Sequence, residues 1–301
     1  MCPLPRDQDA AATPAPERAA LAEHRRRLEQ AIGRHRRLLV AFSAGVDSTL
    51  LLKVAVDVLG PEQVLAVTGE SESVPERELA AARDLAQRFG ARHRFLRTQE
   101  LQNERYAANP FDRCYYCKSE LFARLRDLAA MEGFDAIADG TNLDDGRDVR
   151  PGGRAGREND VVSPLLEAGL GKRDIRALSR ELGLPTWDKP EMACLASRLP
   201  YGSPIDAEKL HQVDRAEESL RACGILGARV RHHGDIARLE LQSEDLARLA
   251  DPGLRARVVA GVRAAGFAYV TLDLEAYRRG RMNEVAGDTT SRREPQPDPG
   301  F

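Results

Sequence analysis

The spacing of apolar and polar positions differs between two regions of this chain. From residue 37 to about residue 200, short apolar runs alternate with stretches whose apolar positions recur at helical spacing. This pattern predicts strands at residues 37–42, 63–69, 92–97 and 135–140, and helices at residues 48–59, 75–89, 118–131 and 172–182. Strands that alternate with helices form a parallel sheet. We therefore predict an α/β fold on a parallel sheet of five or more strands.

Beyond Tyr201 the pattern changes to that of a smaller α+β domain. Helices are predicted near residues 206–222 and 254–266, and strands within residues 228–241 and 267–274. The polar, Pro-rich ends predict disordered tails. The predicted division is a tail at 1–17, an α/β domain at 18–199, an α+β domain at 200–285 and a tail at 286–301.

Composition narrows the class of protein. The chain has 301 residues, 42% of them hydrophobic, and contains no apolar run near the roughly 20 residues that span a bilayer. The first 20 residues lack the apolar core of a signal peptide, so we expect a cytoplasmic protein with no membrane partner. The net charge of −2 argues against a general nucleic-acid binder, although "HRRR" at 24–27 could serve a local phosphate site.

The segment "FSAGVDS" at residues 42–48 joins the first predicted strand to the first predicted helix. A helix that begins near Ser48 would present backbone N–H groups to an anion, and Gly45 would allow close approach. Ser43 and Ser48 could donate hydrogen bonds to phosphate, and Asp47 could hold the Mg²⁺ that accompanies a nucleotide. The Walker sequence is absent, and a simple helix cap at Asp47 or Ser48 is the alternative.

The cysteines offer a second candidate site. Cys114 and Cys117 form a C-x-x-C pair in "CYYC", and Cys194 lies in "MACLASR". From spacing alone the pair could be half of a zinc site, a redox pair or part of an iron–sulfur site. Cys223 ends an apolar helix and is expected to be a buried small hydrophobe, and Cys2 falls in the predicted tail.

"SAGVDS" resembles the S-G-G-x-D-S loop of the PP-loop ATP pyrophosphatases, which have an adenine nucleotide alpha hydrolase-like fold. Ala44 replaces the usual first glycine, and this would matter if the position needs a positive φ. The series "DGTNLDD" (139–145), "RPG" (150–152), "CLASRLPYG" (194–202) and "RVRHHGDIARLEL" (229–241) resembles the ATP-dependent sulfur transferases of nickel-pincer nucleotide synthesis. The resemblance covers residues 38–283.

This resemblance implies an activity. Members of the family use ATP and Mg²⁺ to adenylate pyridinium-3,5-biscarboxylic acid mononucleotide, and then convert its carboxylates to thiocarboxylates. Some members sacrifice one of their own cysteines; we match that position to Ala193. The chain instead resembles the three-cysteine branch, in which Cys114, Cys117 and Cys194 would hold a [4Fe-4S] cluster that receives sulfide from a separate donor.

Three residues close to the cysteines in the sequence are further candidates, two of them through the resemblance and Lys118 through its position next to Cys117. Ser197 and Arg198 resemble a substrate-facing pair, and Lys118 could face substrate or sulfide. Arg198 could bind phosphate bidentately. The alternatives are a surface arginine at 198 and a solvated lysine at 118.

Three residues of the second predicted domain are candidates for binding the phosphate of the nucleotide. Arg229 and Arg231 share one face of a predicted strand and could hold this phosphate with Glu217 as a partner. Asp139 ends a parallel strand, where nucleotide or magnesium could bind. The alternatives are a salt-bridged sheet surface for the arginines and a loop-ordering carboxylate for Asp139.

Other functions stay open at this point. A PP-loop enzyme could thiolate a tRNA base, although the near-neutral charge and the lack of an added RNA-binding module count against nucleic acid as a partner. A nucleotide-binding iron–sulfur or zinc regulator without turnover is the other alternative. The family resemblance also implies a homo-oligomer, a trimer or hexamer.

Overall fold

The computed structural model describes residues 15–145, 151–278 and 281. The helices in this part of the chain are α1 (Ala15–Gly33), α2 (Val46–Leu59), α3 (Glu76–Arg88), α4 (Glu104–Ala107), α5 (Arg113–Glu132), α6 (Pro151–Glu158), α7 (Pro164–Glu167), α8 (Lys172–Glu181), α9 (Ala207–Ala222), α10 (Ser243–Arg248) and α11 (Pro252–Ala264). The strands are β1 (Leu38–Ala41), β2 (Val64–Glu70), β3 (Arg92–Arg97), β4 (Ala136–Ala138), β5 (Arg229–His233), β6 (Ile236–Glu240) and β7 (Tyr269–Leu272).

The first four strands form a parallel sheet in the order β3-β2-β1-β4. Leu38 of β1 pairs with Val64 of β2 on one side and with Ala136 of β4 on the other. Both faces of the central strands are covered, which explains why β1 and β2 read as continuous apolar runs rather than as alternating ones. The predicted α/β class is confirmed, and the carboxyl ends of these strands lie at one edge of the sheet.

The predicted sheet size is wrong, because the described residues form four parallel strands rather than five or more. Val162 makes a single parallel bridge to Ala138 at the position where a fifth strand would begin. Pro164 then starts α7, and proline both lacks the N–H that a sheet requires and favours the first turn of a helix.

Two hydrophobic clusters cover the two faces of this sheet. Leu38 and Val40 pack with α1, α2 and α8, whereas Leu39 packs with Phe122 and Leu125 of α5. This division follows from the alternation of side chains along a strand. The sheet is thus held between helices and keeps the ends of its strands in place.

A second sheet and a third cluster form the rest of the molecule. β5 and β6 are antiparallel, and β7 pairs parallel to β6. The core under this sheet takes residues from α9 and α11 and also Tyr106, Leu195 and Leu199, which precede residue 200 in the chain. The domain boundary at residue 200 stays a prediction.

Several local features differ from expectation or lie beyond the described residues. Helix α1 was not predicted, and the arginines of "HRRR" form ion pairs along its surface with Glu23 and Glu29. Helix α5 begins at Arg113 rather than at Lys118. The outer parts of both predicted tails, Cys2 and Arg150 of "RPG" lie outside the described residues. None of the described helices is long and apolar enough to cross a membrane.

Candidate active site

The turn after β1 has the backbone geometry of a tight strand-to-helix connection. Phe42 still belongs to the sheet, since its N–H donates to the carbonyl of Val67 at 2.8 Å. Ala44 is fully buried and has a φ of +53°, so the position does adopt the left-handed conformation that glycine accepts more easily. Gly45 is the N-cap of α2.

The hydroxyls of the turn are ordered next to the start of α2. The Ser43 N–H donates to Ser48 Oγ at 3.3 Å, and the two serine Oγ atoms lie 3.1 Å apart. The N-cap of α2 has no side-chain hydrogen bond, so the simple capping alternative does not describe this helix. Uncapped N–H groups beside two hydroxyls form a site suited to an anion.

Asp47, in the first turn of α2, is bonded to a lysine from a distant segment. Lys172 Nζ donates to Asp47 Oδ2 at 2.6 Å, and the Asn142 amide donates to Asp47 Oδ1 at 3.3 Å. Burial raises the pKa of Asp47 above its ordinary value, and the hydrogen bond and charge of Lys172 oppose this rise. Lys172 also lies 3.4 Å from Glu191.

A second lysine contacts the turn from the other side. Lys189 Nζ donates to the carbonyl of Ala44 at 3.0 Å and to Glu78 Oε2 at 2.7 Å. The turn therefore has one cation at Asp47 and another at the carbonyl of Ala44. Two lysines close to a helix N-terminus strengthen the positive potential that a polyphosphate requires.

Asp139 lies at the end of β4 and orders its own loop. Its carboxylate accepts hydrogen bonds from the Thr141 N–H at 3.1 Å, the Thr141 hydroxyl at 2.7 Å and the Ser163 hydroxyl at 2.8 Å. The next residue, Gly140, lies against the start of α2, where an added Cβ would be 3.1 Å from both Asp47 Cβ and Ser48 N. This close approach brings the Asp139 loop beside the turn, and the ligand-binding role of Asp139 stays a prediction.

Two of the three cysteines of interest, Cys117 and Cys194, pack against the third hydrophobic cluster. Cys114 and Cys117 are in the first turn of α5, three residues apart and on one face. Cys194 is the N-cap of a short 3₁₀ turn, Leu195–Arg198, and the Leu195 N–H connects this turn to the loop after β2 by donating to the carbonyl of Ser73. All three are thiols outside any disulfide.

Charged and polar groups from several segments surround these thiols. Burial raises the pKa of the Cys117 thiol well above its ordinary value, and the charges of Glu100, Cys194 and Cys114 raise it further. Glu100 is buried and accepts hydrogen bonds from Ser71 at 2.6 Å and Ser73 at 2.8 Å.

The arrangement of thiols bears on which metal group it could hold. Among the described residues, no three Cys, His, Asp or Glu side chains are arranged to hold one metal ion. In a [4Fe-4S] cluster each thiolate binds its own iron, so the sulfur atoms need not converge on one point. Cys114, Cys117 and Cys194 are compatible with such a cluster.

Arg198 is fully buried and bonded to Glu217 through both nitrogens of one edge. Its Nε and Nη2 donate to the Glu217 carboxylate at 2.8 and 2.9 Å. Its Nη1 donates to the carbonyls of Ala193 and Cys194 and to the Ser197 hydroxyl. The two parallel donors Nε and Nη2 of Arg198 thus bind Glu217 rather than a phosphate. Because Arg198 is fully buried, the surface-arginine alternative is excluded. Arg198 holds the segment that carries Cys194.

The two arginines of β5 differ in their partners. Arg231 donates to Glu240 at 2.6 Å and to the carbonyl of Ser197 at 2.8 Å. Arg229 is equally buried, but no described carboxylate forms an ion pair with it, and its guanidinium lies over the Tyr277 ring. Glu217 contacts the backbone of this strand through the Val230 N–H. Arg229 Nη1 instead donates to the carbonyl of Ala228 at 3.1 Å, and its Nη2 lies 3.9 Å from Met192 Sδ.

Lys118 lies one residue after Cys117 and runs across helix α6. An added Cβ on Gly152 would lie 2.6 Å from Lys118 Cδ, so the glycine provides the space for the lysine chain. The half-buried position excludes a fully solvated lysine, and its role toward substrate or sulfide stays a prediction.

Sequence reasoning missed several residues of both candidate sites. Around the turn these are Lys172, Lys189 and Asn142, and around the thiols they are Glu100 and Arg113. One signal was present for Lys172: a cation in the first turn of α8 opposes the helix dipole and so requires a nearby anion. An ordinary glutamate such as Glu100 gives no such signal.

Comparisons with known proteins agree with this geometry. A sequence model of the NAD synthase family matches residues 25–133. The chain is 41% identical over 268 residues to the pyridinium-3,5-bisthiocarboxylic acid mononucleotide synthase of Lactiplantibacillus plantarum, which covers 89% of this chain and 96% of the relative.

Two other relatives differ in how much is known of them. An uncharacterized protein of Synechocystis is 45% identical over 258 residues, covering 86% of this chain and 96% of its own length. An NH₃-dependent NAD⁺ synthetase of Hyperthermus butylicus is 27% identical over 236 residues, covering 71% of this chain and 83% of its own length. The extent of the match to the Lactiplantibacillus enzyme, together with the turn after β1, shows that the chain belongs to the pyridinium-3,5-bisthiocarboxylic acid mononucleotide synthase family of PP-loop proteins.

Proposed function

We propose that this protein is an ATP-dependent sulfur-inserting enzyme of nickel-pincer nucleotide synthesis. It adenylates a carboxylate of pyridinium-3,5-biscarboxylic acid mononucleotide and converts it to a thiocarboxylate. The name of the Lactiplantibacillus relative supports the substrate class. The observation that carries the proposal is the turn after β1, where hydroxyls and uncapped N–H groups meet two lysines.

The chemistry requires an activated carboxylate. A carboxylate oxygen attacks the α-phosphorus of ATP, pyrophosphate leaves, and an acyl-adenylate forms. A sulfur nucleophile then attacks the acyl carbon, and AMP leaves with the electrons of the carbon–oxygen bond. A second round on the other carboxylate would give the bisthiocarboxylate.

The residues of the turn would bind the polyphosphate. Ser43, Gly45 and Ser48 would donate hydrogen bonds to phosphate oxygens, with Ala44 setting the left-handed turn. Asp47 would hold Mg²⁺, which neutralises charge that develops on the phosphates. Lys172 would then exchange its bond with Asp47 for one with a phosphate oxygen. The raised pKa of Asp47 indicates that its carboxylate gains from a cationic partner, whether lysine or metal.

The mononucleotide phosphate would bind at β5. Arg229 is the buried arginine of this strand without a described carboxylate partner, so it is our candidate for the phosphate contact, which would replace its hydrogen bond to the Ala228 carbonyl. Arg231 would support it from the same strand face. The bonds of Arg198 with Glu217 and Ser197 would order the segment rather than touch the phosphate. Asp139 would order the loop beside the nucleotide.

The three cysteines would supply the sulfur-transfer site. A [4Fe-4S] cluster held by Cys114, Cys117 and Cys194 would provide sulfide-binding chemistry, because three thiolates leave one of four irons without a protein ligand. Cys117 and Cys194 are partly buried against the third hydrophobic cluster, which limits access of water to them, whereas Cys114 is exposed. Lys118 would face the acyl group or the sulfide.

Pyrophosphate release tests the activity. ATP, Mg²⁺ and the pyridinium biscarboxylate mononucleotide should give pyrophosphate and an acyl-adenylate without added sulfide, and a thiocarboxylate with it. A protein that binds ATP without this turnover would be a regulator. Turnover that depends on tRNA instead of the pyridinium acid would indicate a tRNA-thiolating enzyme.

Iron analysis tests the cysteine assignment. Protein purified without oxygen should hold close to four irons per chain with equivalent acid-labile sulfide. Cys114→Ala, Cys117→Ala and Cys194→Ala should each lose most of it, and Cys223→Ala, a matched control in α9's C-cap, should not. Zinc instead of iron after reconstitution would contradict the cluster, and sulfur would then have to come from a persulfide or from Cys194.

We also propose that the protein is a homo-oligomer and that its chain divides near residue 200. Apolar side chains are exposed along the β7 edge of the second sheet and just after it, with Tyr269 63% exposed and Leu274, which follows β7, 90% exposed. An exposed edge strand with apolar residues is a ready surface for association. Light scattering of the wild type and of Leu274→Lys should show a trimer or hexamer that the substitution weakens.

A further inference from the structure

Arg113 is a buried cation next to the cysteines with unused hydrogen-bond donors. It is the first residue of α5, directly before Cys114, and only 5% of it is exposed. Its guanidinium lies over the ring of Tyr201, 4.6 Å from the centroid. Its Nε and Nη1 atoms are buried and have no hydrogen-bond partner. No described carboxylate forms an ion pair with it.

This situation is energetically unfavourable for the protein alone. An arginine side chain stays protonated, so burial cannot be relieved by loss of a proton. A buried charge needs a partner of opposite sign and satisfied hydrogen bonds. Arg198 and Arg231, which are equally buried, have Glu217 and Glu240 as partners. Arg113 differs from both, and the ring of Tyr201 and a hydrogen bond with the Tyr201 side chain compensate for only part of the cost.

The positions of the two unused nitrogens restrict the kind of anion that fits. In an arginine side chain Cδ lies on the same side of the guanidinium group as Nη1. The N–H bonds of Nε and Nη1 therefore diverge and cannot act together as a parallel pair of donors. A carboxylate or phosphate bound bidentately would need a fork. Two separate donors suit single-atom acceptors instead. The thiols that influence this guanidinium electrostatically are those of Cys194 and Cys114.

We propose that Arg113 binds a sulfur-centred anion, hydrosulfide during turnover, through its unused N–H donors beside the cysteine site, while Cys114 and Cys194 remain ligands of the proposed cluster. The inference deepens the proposed function and rests on it for the identity of the anion. It assigns Arg113 to the sulfur-transfer half of the reaction rather than to adenylation.

The kinetic test compares Arg113→Met and Arg113→Lys with Arg126→Met, which removes an exposed arginine from the same helix. The KM for hydrosulfide should rise about tenfold to hundredfold in Arg113→Met, as for loss of a charge-assisted hydrogen bond. The KM for hydrosulfide should rise less in Arg113→Lys and should change less than twofold in Arg126→Met. The KM for ATP in sulfide-free pyrophosphate release is the internal reference. An unchanged KM for hydrosulfide would overturn the proposal.

A binding test separates this inference from the proposed function. Thermal unfolding of the full-length chain is followed in sodium iodide, a soft monatomic anion, and in sodium sulfate at equal ionic strength. Iodide should raise the Tm of the wild type relative to that of Arg113→Met, and sulfate should not. In the absence of iodide, Arg113→Met should be at least as stable as the wild type. If Arg113→Met is less stable by the same amount in both salts, the arginine is structural and the proposal fails. Absent pyrophosphate release in the wild type would instead contradict the proposed function.

Discussion

Ala44 occupies a backbone conformation that its side chain opposes. A φ of +53° disfavours a residue with a Cβ by about 1 kcal/mol relative to glycine. Burial of the methyl group in the core against α2 stabilises the fold by a similar free energy, about 0.8 kcal/mol. Alanine is therefore tolerated at a position where the resembling proteins have glycine, and the turn keeps its shape.

We expect Ala44→Gly to change the free energy of unfolding by less than about 1 kcal/mol, because the two effects offset each other. Ala44→Val should destabilise by about 3 kcal/mol, since a β-branched residue resists a positive φ and overfills the core. Urea unfolding measures both. Ala55→Val, at a fully buried helical alanine of α2, is the control for overfilling alone and should cost less. Equal losses for Val at the two positions would argue against strain at Ala44.

Because Glu217 is the partner of the buried Arg198, its substitution should have a large, pH-dependent effect on the free energy of unfolding. Glu217→Gln should destabilise by about 3–5 kcal/mol, because it leaves the fully buried Arg198 charge without its partner. Glu218→Gln, a neighbour in an exposed i,i+3 pair with Arg221, should cost no more than about 0.5 kcal/mol. Equal effects in the two variants would contradict this account.

The sign of the pH dependence follows from the Glu217 pKa. Burial acts to raise this pKa, but the charge and hydrogen bonds of Arg198 outweigh burial and lower it below 4.5. A lowered pKa gives stability that is fully present above pH 4.5 and is lost as the pH falls through the native value. Urea unfolding at decreasing pH should therefore show a shallower loss for Glu217→Gln than for the wild type.

Residues of the candidate sites differ in how far the sequence could predict them. Ser43, Asp47 and Ser48 lie within six residues of one another, so one strand-to-helix turn is enough to bring them together. Lys172 contacts Asp47 across 125 positions of the chain, and no local pattern encodes that contact. Asp139 and Arg198 were recognised as important, but their hydrogen bonds with Thr141, Ser163 and Glu217 depend on how loops pack in three dimensions.

At the scale of elements, helix α8 brings a cation to the turn. Its N-cap is Gly171 and its first residue is Lys172, whose charge lies at the positive end of the helix dipole. That placement is unfavourable until an anion is near. In the structure the anion is Asp47, and during the proposed reaction it would be a phosphate.

We expect Lys172→Met to lower kcat/KM for ATP in pyrophosphate release by about tenfold to hundredfold, the effect of one charge-assisted hydrogen bond to phosphate. Lys53→Met is a matched control, because Lys53 also pairs with an aspartate, Asp57, but on the outer face of α2. The control should change by less than twofold. An active Lys172→Met enzyme would remove Lys172 from the polyphosphate site.

Most elements could be predicted from the sequence because their apolar spacing is regular. The predicted start of helix α5 lies five residues after its observed start, because "RCYYC" lacks apolar residues at helical spacing. The observed start is fixed by the packing of Tyr116 and Cys117 on the third cluster. The missing fifth strand has a local cause that could have been recognised: Pro164 stops the extended segment two residues after Val162. Helix α1 is rich in charge and forms its ion pairs on its own surface, so its hydrophobic signal is weak.

At the scale of the whole molecule, the two sheets are joined by specific contacts rather than by a simple linker. The Asn109 amide donates to the carbonyls of Leu199, Pro200 and Ser203. Arg77 of α3 reaches α9 and lies 3.3 Å from Asp214 and 3.6 Å from Glu217. Helices α3 and α9 are therefore connected by ion pairs, and no local sequence pattern predicts such long-range contacts.

Arg77→Met should lower the free energy of unfolding by about 1–2 kcal/mol at neutral pH, because Asp214 loses its half-buried partner. Burial already raises the pKa of Asp214 above 3.8, and Arg77 opposes that rise. Without Arg77 the native pKa should increase further, so the folded state holds its proton to higher pH than the unfolded state does. The variant then loses stability as the pH rises from 3.8 through the raised native pKa of Asp214. Its free energy of unfolding should therefore approach that of the wild type as the pH is lowered toward 3.8.

A double-mutant cycle with Asp214→Asn checks this coupling by urea unfolding at neutral and acidic pH. If the pair joins the two parts of the molecule, the double variant should be more stable than the sum of the single effects predicts, by about 1 kcal/mol. Glu217 is also near Arg77 and titrates at acidic pH, but it is present in every member of the cycle and its contribution cancels. Additive effects with a deficit independent of pH would mean that Arg77 acts through packing alone, and the link between α3 and α9 would then be apolar.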